Sequence, residues 1–194
     1  IPRPQHWVDL TPKALEARIE GLSEVLNHPL PVRGAFLFPA DTDFYTQCVT
    51  SVVTLQQATG EILEHLGLAC HSVTVTFVSK IEHAAHIERD DLLYWVEIDE
   101  KYQSDATALG AILAHECCHV IANERRLPRH DDLRDEANVD LLTFLGGLGQ
   151  LTLNGIEASH SLGYLEPKLR AHAFAIVART LGLDENHALD GLHH

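Results

Sequence analysis

Apolar residues recur at helical spacing early in the chain. Leu15, Ile19, Leu22 and Leu26 fall on one face, and Thr11-Pro12 supplies an N-cap followed by a first-turn proline. A helix is therefore expected from about Thr11 to Asn27, after a Pro-rich extended arm over Ile1–Leu10. A second, long helix is expected from Asp41 or Thr42 to Leu66, with Val49, Val52, Val53, Leu55, Ile62, Leu63 and Leu66 as its apolar set and Gly67 at its end. The period then changes. In His71–Ser79 the residues Val73, Val75 and Phe77 alternate with Thr74 and Thr76, which predicts a strand, and Leu92–Ile98 predicts another, with Tyr94 and Trp95 read as core. The polar stretch between them, Lys80–Asp91, reads as a loop.

Ala108–Asn123 is apolar almost throughout and predicts a buried helix. Ser104 is its expected N-cap, Asp105 suits its first turn, and Arg125, Arg126 and Pro128 end it. After a loop over Leu127–Leu133, a further helix is expected from about Leu133 through the glycines Gly146, Gly147 and Gly149 to Leu153. Those glycines would weaken an exposed helix, so close packing is their expected reason. The last predicted helix spans Leu165–Leu181, with Leu169, Ala173, Ile176, Val177 and Thr180 on its packed face. The pattern amounts to an α+β fold, α-rich, with a small β-sheet beside the Ala108–Asn123 helix.

Composition narrows the setting. At 194 residues and 45% hydrophobics the chain has material for one core, so a single domain over 1–194 is expected. A net charge of −14 argues against nucleic acid and anionic membrane as partners. No apolar run is long enough for a membrane span, no leader is visible, and a cytoplasmic setting is expected, although the chain starts at Ile1 rather than Met. The four cysteines do not form a disulfide scaffold; Cys48 and Cys70 could pair, but reduced core thiols fit better.

The candidate chemistry sits inside the buried helix, at His115-Glu116-Cys117-Cys118-His119. With His115 at 0°, His119 lies at about 40° around the helix, so both imidazoles can face one metal near 20°. Glu116 falls at about 100° and Cys118 at about 300°, flanking that direction, while Cys117 at about 200° points into the core. Ala108 and Ala111 precede the site on its own face and leave room for another element. A catalytic zinc needs three protein ligands. Glu136 on the next helix can be the third, and Asp140, one turn later, can hold a ligand histidine through its other ring nitrogen. His130 in the intervening loop is the rival third ligand. A fourth ligand from Cys118 would instead close the site as a structural one. His83 and His86 in the polar loop read as exposed, and His193-His194 carry no metal argument.

This H-E-x-x-H followed by Glu136-x-x-x-Asp140 resembles the zincin metallopeptidases of the gluzincin type. DEANVDLL also resembles the third-ligand helix of the family that cleaves phage and stress repressors. Over Trp95–Gly155, with IDEKYQSDATALGAILAHE before the motif and LGGLG after it, the chain is similar to a group of bacterial zincin-like proteins. Ala122 and Arg125 stand where the metzincin pattern needs Gly and His. The resemblance implies a Zn²⁺ site formed by His115, His119 and Glu136, Glu116 as general base, and Asp140 behind a ligand. It implies one zincin-like domain, with a helical part at 1–70, a motif core at 71–155 and a C-terminal helix in 156–194. The implied function is hydrolysis of peptide bonds in a peptide or protein substrate through a zinc-activated water. Tyr164 or His172 could then donate to the oxyanion. The alternative is a non-catalytic zinc-binding or protein-interaction module on the same scaffold.

Overall fold

The structure is a computed structural model that describes residues 7–27, 34–91, 93–127, 132–156 and 162–192. Three helices come first: α1 (Pro12–Leu26), α2 (Thr42–Thr50) and α3 (Val52–His65). Thr11 caps α1, its hydroxyl accepting from Ala14 N, and the buried stripe is the expected Leu15, Ile19, Leu22 and Leu26. The long second helix is instead two. Ser51 is extended and forms a capping box with Thr54, which satisfies the first amides of α3 and turns the chain. The break also re-aims the apolar positions: Val49, Val52 and Val53 are exposed, and Leu55, Ala58, Ile62 and Leu63 carry the packing.

The sheet has the order β1-β3-β2, with β1 (Ser72–Val78) parallel to β3 (Leu93–Asp99) and β2 (Ala85–Asp90) antiparallel to it. β2 lies in the stretch expected to be a loop. Its only apolar positions, Ala85 and Ile87, are half-buried on one side, and the charged Glu88, Arg89 and Asp90 that follow masked the alternation. Val73, Val75, Tyr94, Val96 and Ile98 form the buried face of the sheet; Trp95, read as core, lies on the opposite face and is 39% exposed. α3 packs against β1, and the next helix, α4 (Ala106–Glu124), packs against β2, so the sheet does sit beside the motif helix.

A short 3-10 turn, Glu100–Tyr102, leads into α4. The N-cap is Asp105 rather than Ser104, because its carboxylate reaches Ala108 N at 2.9 Å. Such a cap is worth about 1 kcal/mol. Residues Ala108 to Ala114 are all buried, so α4 is a core helix with no solvent face along that stretch. Gly110 lies against Tyr45 and Phe44, where a Cβ would sit 3.0 Å from the Tyr45 ring. Gly155 approaches Ala111 so closely that a Cβ would lie 2.3 Å from that of Ala111. The room left by Ala111 is thus filled by a following segment.

That segment follows α5 (Asp132–Leu145), which ends at Gly146-Gly147 instead of running to Leu153. Gly147 has φ +78, and a Cβ there would meet the Phe36 carbonyl, so the helix must stop and α6 (Gly149–Asn154) starts afresh. Gly149 lets α6 lie against Phe174 of α7 (Pro167–Thr180). On α7, Thr180, expected on the packed face, is exposed, and Phe174 is packed instead. A short α8 (Glu185–Asp190), not anticipated, closes the described chain. Buried apolar residues from α1 to α8 join in one cluster. Among the described residues no helix is long and apolar enough to cross a membrane. The cysteines are all free, and Cys70 is exposed rather than a core thiol.

Candidate metal centre

His115 and His119 lie one turn apart on α4, and their rings stand 5.0 Å apart at 75°. Both look toward Glu136 on α5. His115 Nε2 is 2.9 Å and His119 Nε2 is 3.3 Å from the same oxygen, Glu136 Oε2. Taken as one ligand atom each, the donor atoms of His115, His119 and Glu136 lie within 4.8 Å of one another. Two imidazole nitrogens and a carboxylate oxygen converging on one point are a donor set that suits zinc. The fit does not depend on His130, which lies outside the described residues.

Behind His115 stands Asp140. Its Oδ1 accepts from His115 Nδ1 at 2.9 Å, which leaves Nε2 as the nitrogen available to a metal. Asp140 is 2% exposed and its other oxygen is also occupied: Oδ2 accepts from Tyr164 N at 2.6 Å and Leu165 N at 2.9 Å. Burial would raise the pKa of this carboxyl. The Arg170 guanidinium, the His115 hydrogen bond and the Tyr164 amide together outweigh it and hold Asp140 below the ordinary carboxylate range. Glu136 shows the same balance: burial is overcome by hydrogen bonds from His115 and His119, and its pKa is strongly lowered. For His115 burial disfavours charge, but the hydrogen bonds to Asp140 and Glu136 prevail and push it up to about 10. Between two carboxylates both ring nitrogens donate, so a proton on Nε2 occupies the position a metal would take.

Glu116 is buried and lines the same cleft, beside rather than among the three converging atoms, as the helical angles predict. The cleft encloses ≈ 1000 Å³ between β2, α4, α5 and the Leu162–Tyr164 turn. Tyr164 lines it and stacks on His115, with ring centroids 5.9 Å apart and planes at 29°. His172, the other expected donor, is not brought there. It sits on α7 against Glu16 of α1, Nε2 to Oε1 3.3 Å. Cys117 is buried in the core as expected. Cys118 is fully buried and not part of the converging group; burial raises its pKa well above the usual thiol value, so it stays protonated. His83 and His86 line the cleft on the sheet side, with His86 near Glu88 at 3.5 Å.

One residue that sequence reasoning passed over is Arg170. It is 3% exposed, and it shares the buried α7 stripe with Ala173, Phe174 and Val177. The signal was present: an arginine at the helical spacing of a packed face is a buried charge that needs a partner. β2 was also passed over as a strand. The hydrogen bond from Asp99 N to Ala84 O (3.0 Å) sets the phase of its pairing with β3, so Ala85, Ile87 and Arg89 turn their backbone groups away from the sheet. These three residues line the cleft. On the other edge of the sheet a side chain takes up part of the free backbone: Gln56 of α3 donates to Val73 O and accepts from Val75 N at 2.9 Å. No protein-family model matches the chain, and no curated protein or solved structure matches it significantly.

Proposed function

We propose that the chain is a zinc-dependent metallopeptidase of the zincin type. The observation that carries this reading is the convergence of His115, His119 and Glu136 in a cleft, with His115 held from behind by Asp140 and Glu116 at the side. Those three residues would hold Zn²⁺, which when bound supplies Lewis acidity and lowers the pKa of water toward ~7. Glu116 takes the proton of the attacking water as its oxygen bonds to the scissile carbonyl carbon. The same carboxyl then gives that proton to the leaving amine nitrogen as the C–N bond breaks. Tyr164 is the donor to the oxyanion that develops in between. The substrate is a peptide or protein segment in extended form, added to the outward backbone groups of Ala85 and Ile87 as a further strand.

The competing reading, a non-catalytic zinc-binding module, needs a closed coordination sphere or an inert site. Cys118 is not among the converging donor atoms, which does not favour the former. The experiment is Glu116→Gln. The variant should keep its zinc and its fold, and peptidase activity on an unfolded protein or mixed peptide library should drop by about 10² or more. Undiminished activity in the variant would mean that the hydrolysis is a contaminant's or runs through another group; a zinc-loaded parent that cleaves nothing would move the assignment to the binding module.

A further inference from the structure

The four residues Leu162 to Leu165 are gripped from two sides. Asp140 accepts the amides of Tyr164 and Leu165. From α7, Arg170 donates Nε to the Leu165 carbonyl at 2.9 Å and Nη2 to the Leu162 carbonyl. Gly163 lies where the two grips meet. A Cβ there would be 2.5 Å from Arg170 Nη2 and 2.9 Å from either oxygen of Asp140, at a φ of +76. The turn between the two grips carries Tyr164 over His115. The planar fork of arginine reaches two carbonyls at once, whereas the single ammonium of lysine cannot match that geometry.

We infer that Arg170 is a positioning residue of the metal centre, acting through Asp140 and the Leu162–Leu165 turn to fix both His115 and Tyr164. The metal half of this inference rests on the zinc reading above; the turn half does not. Arg170→Lys keeps the charge and gives up one of the two carbonyls. In metal-free protein, hydrogen exchange at the Tyr164 and Leu165 amides should quicken at least about 10-fold while the Val73 and Val75 amides of β1 do not change. Zinc affinity, measured by chelator competition, should fall by about 10-fold, and the visible spectrum of the Co²⁺-loaded variant should shift. Combining Asp140→Asn with Arg170→Lys should weaken zinc binding no further than Asp140→Asn alone, since both act along one path. Arg170→Gln carries the same readouts if the lysine variant does not fold. Unchanged exchange at the two amides overturns the inference, as do additive losses in the double variant. A parent that takes up no zinc refutes the zinc reading instead, and the exchange result then decides the role of Arg170 in the turn.

Discussion

The seam between α4 and α5 and the seam between α1 and α7 each place a histidine against a carboxylate. At the first, the side chain of His115 is 14% exposed, and its two nitrogens face Asp140 and Glu136. At the second, the side chain of His172 is 39% exposed and touches Glu16, itself 53% exposed. The residue chemistry is nearly the same; the surroundings are not. An exposed pair competes with water and with the entropy of two free side chains, and contributes about 0–1 kcal/mol. The His115–Asp140 side of the first seam has little water to turn to, so its partners fix the ring orientation and proton positions. A metal centre needs that fixed orientation more than it needs the attraction itself.

The comparison breaks most sharply at the third ligand. Glu136→Ala should lose most of its zinc by elemental analysis, while His172→Ala should keep the full parental content. Metal retained by the Glu136 variant would refute the assignment. One step out, Asp140→Asn should weaken zinc binding by about 10- to 100-fold, against no change for Glu16→Gln in the same chelator titration. Equal effects from the two would mean that burial is not what separates the seams.

Acidity offers a third contrast. His115 has a folded pKa of about 10, raised from 6.5, so its charged form stabilises the metal-free fold fully below pH 6.5. That contribution is lost as pH rises toward 10. Thermal melting of metal-free protein should therefore fall across this window, and the His115→Gln variant should show a shallower slope. Zinc must displace the Nε2 proton, so its affinity should rise with pH over the same range. The smallest effect concerns the cysteines beside the motif. Cys117→Ala should cost about 1–2 kcal/mol in denaturant unfolding with activity unchanged, and Cys118→Ala should leave zinc in place.

The features legible in the sequence were those in which one strong local pattern decides the outcome. The His115/His119 spacing, the apolar run of α4 and the alternation in Val73–Phe77 each did so, and the Glu136/Asp140 pair followed from the same helical arithmetic. The misreadings arose where a tertiary contact overrides the pattern. Ser51 divides a continuous apolar period because its capping box with Thr54 ends one helix and begins another. Gly147 stops α5 because the Phe36 carbonyl occupies the space of its missing side chain. β2 runs from Ala85 and Ile87 into the charged Glu88, Arg89 and Asp90, and only pairing with β3 makes it a strand. His172 and Tyr164 were indistinguishable as donors, since nothing local says that the turn before α7, rather than the face of α7 bearing His172, meets the cleft.

The Gln56 side chain that covers β1 has a consequence for assembly. A sheet edge with bare amides and carbonyls can pair with the edge of another copy. A molecule with one open edge is exhausted after a single such pairing, because its partner has no second edge to offer. A molecule with two open edges can go on adding copies, and the product is a fibre. By occupying the Val73 carbonyl and the Val75 amide from within the same chain, Gln56 makes β1 the poorer of the two described edges for strand addition, and so biases the sheet toward a single pairing at β2.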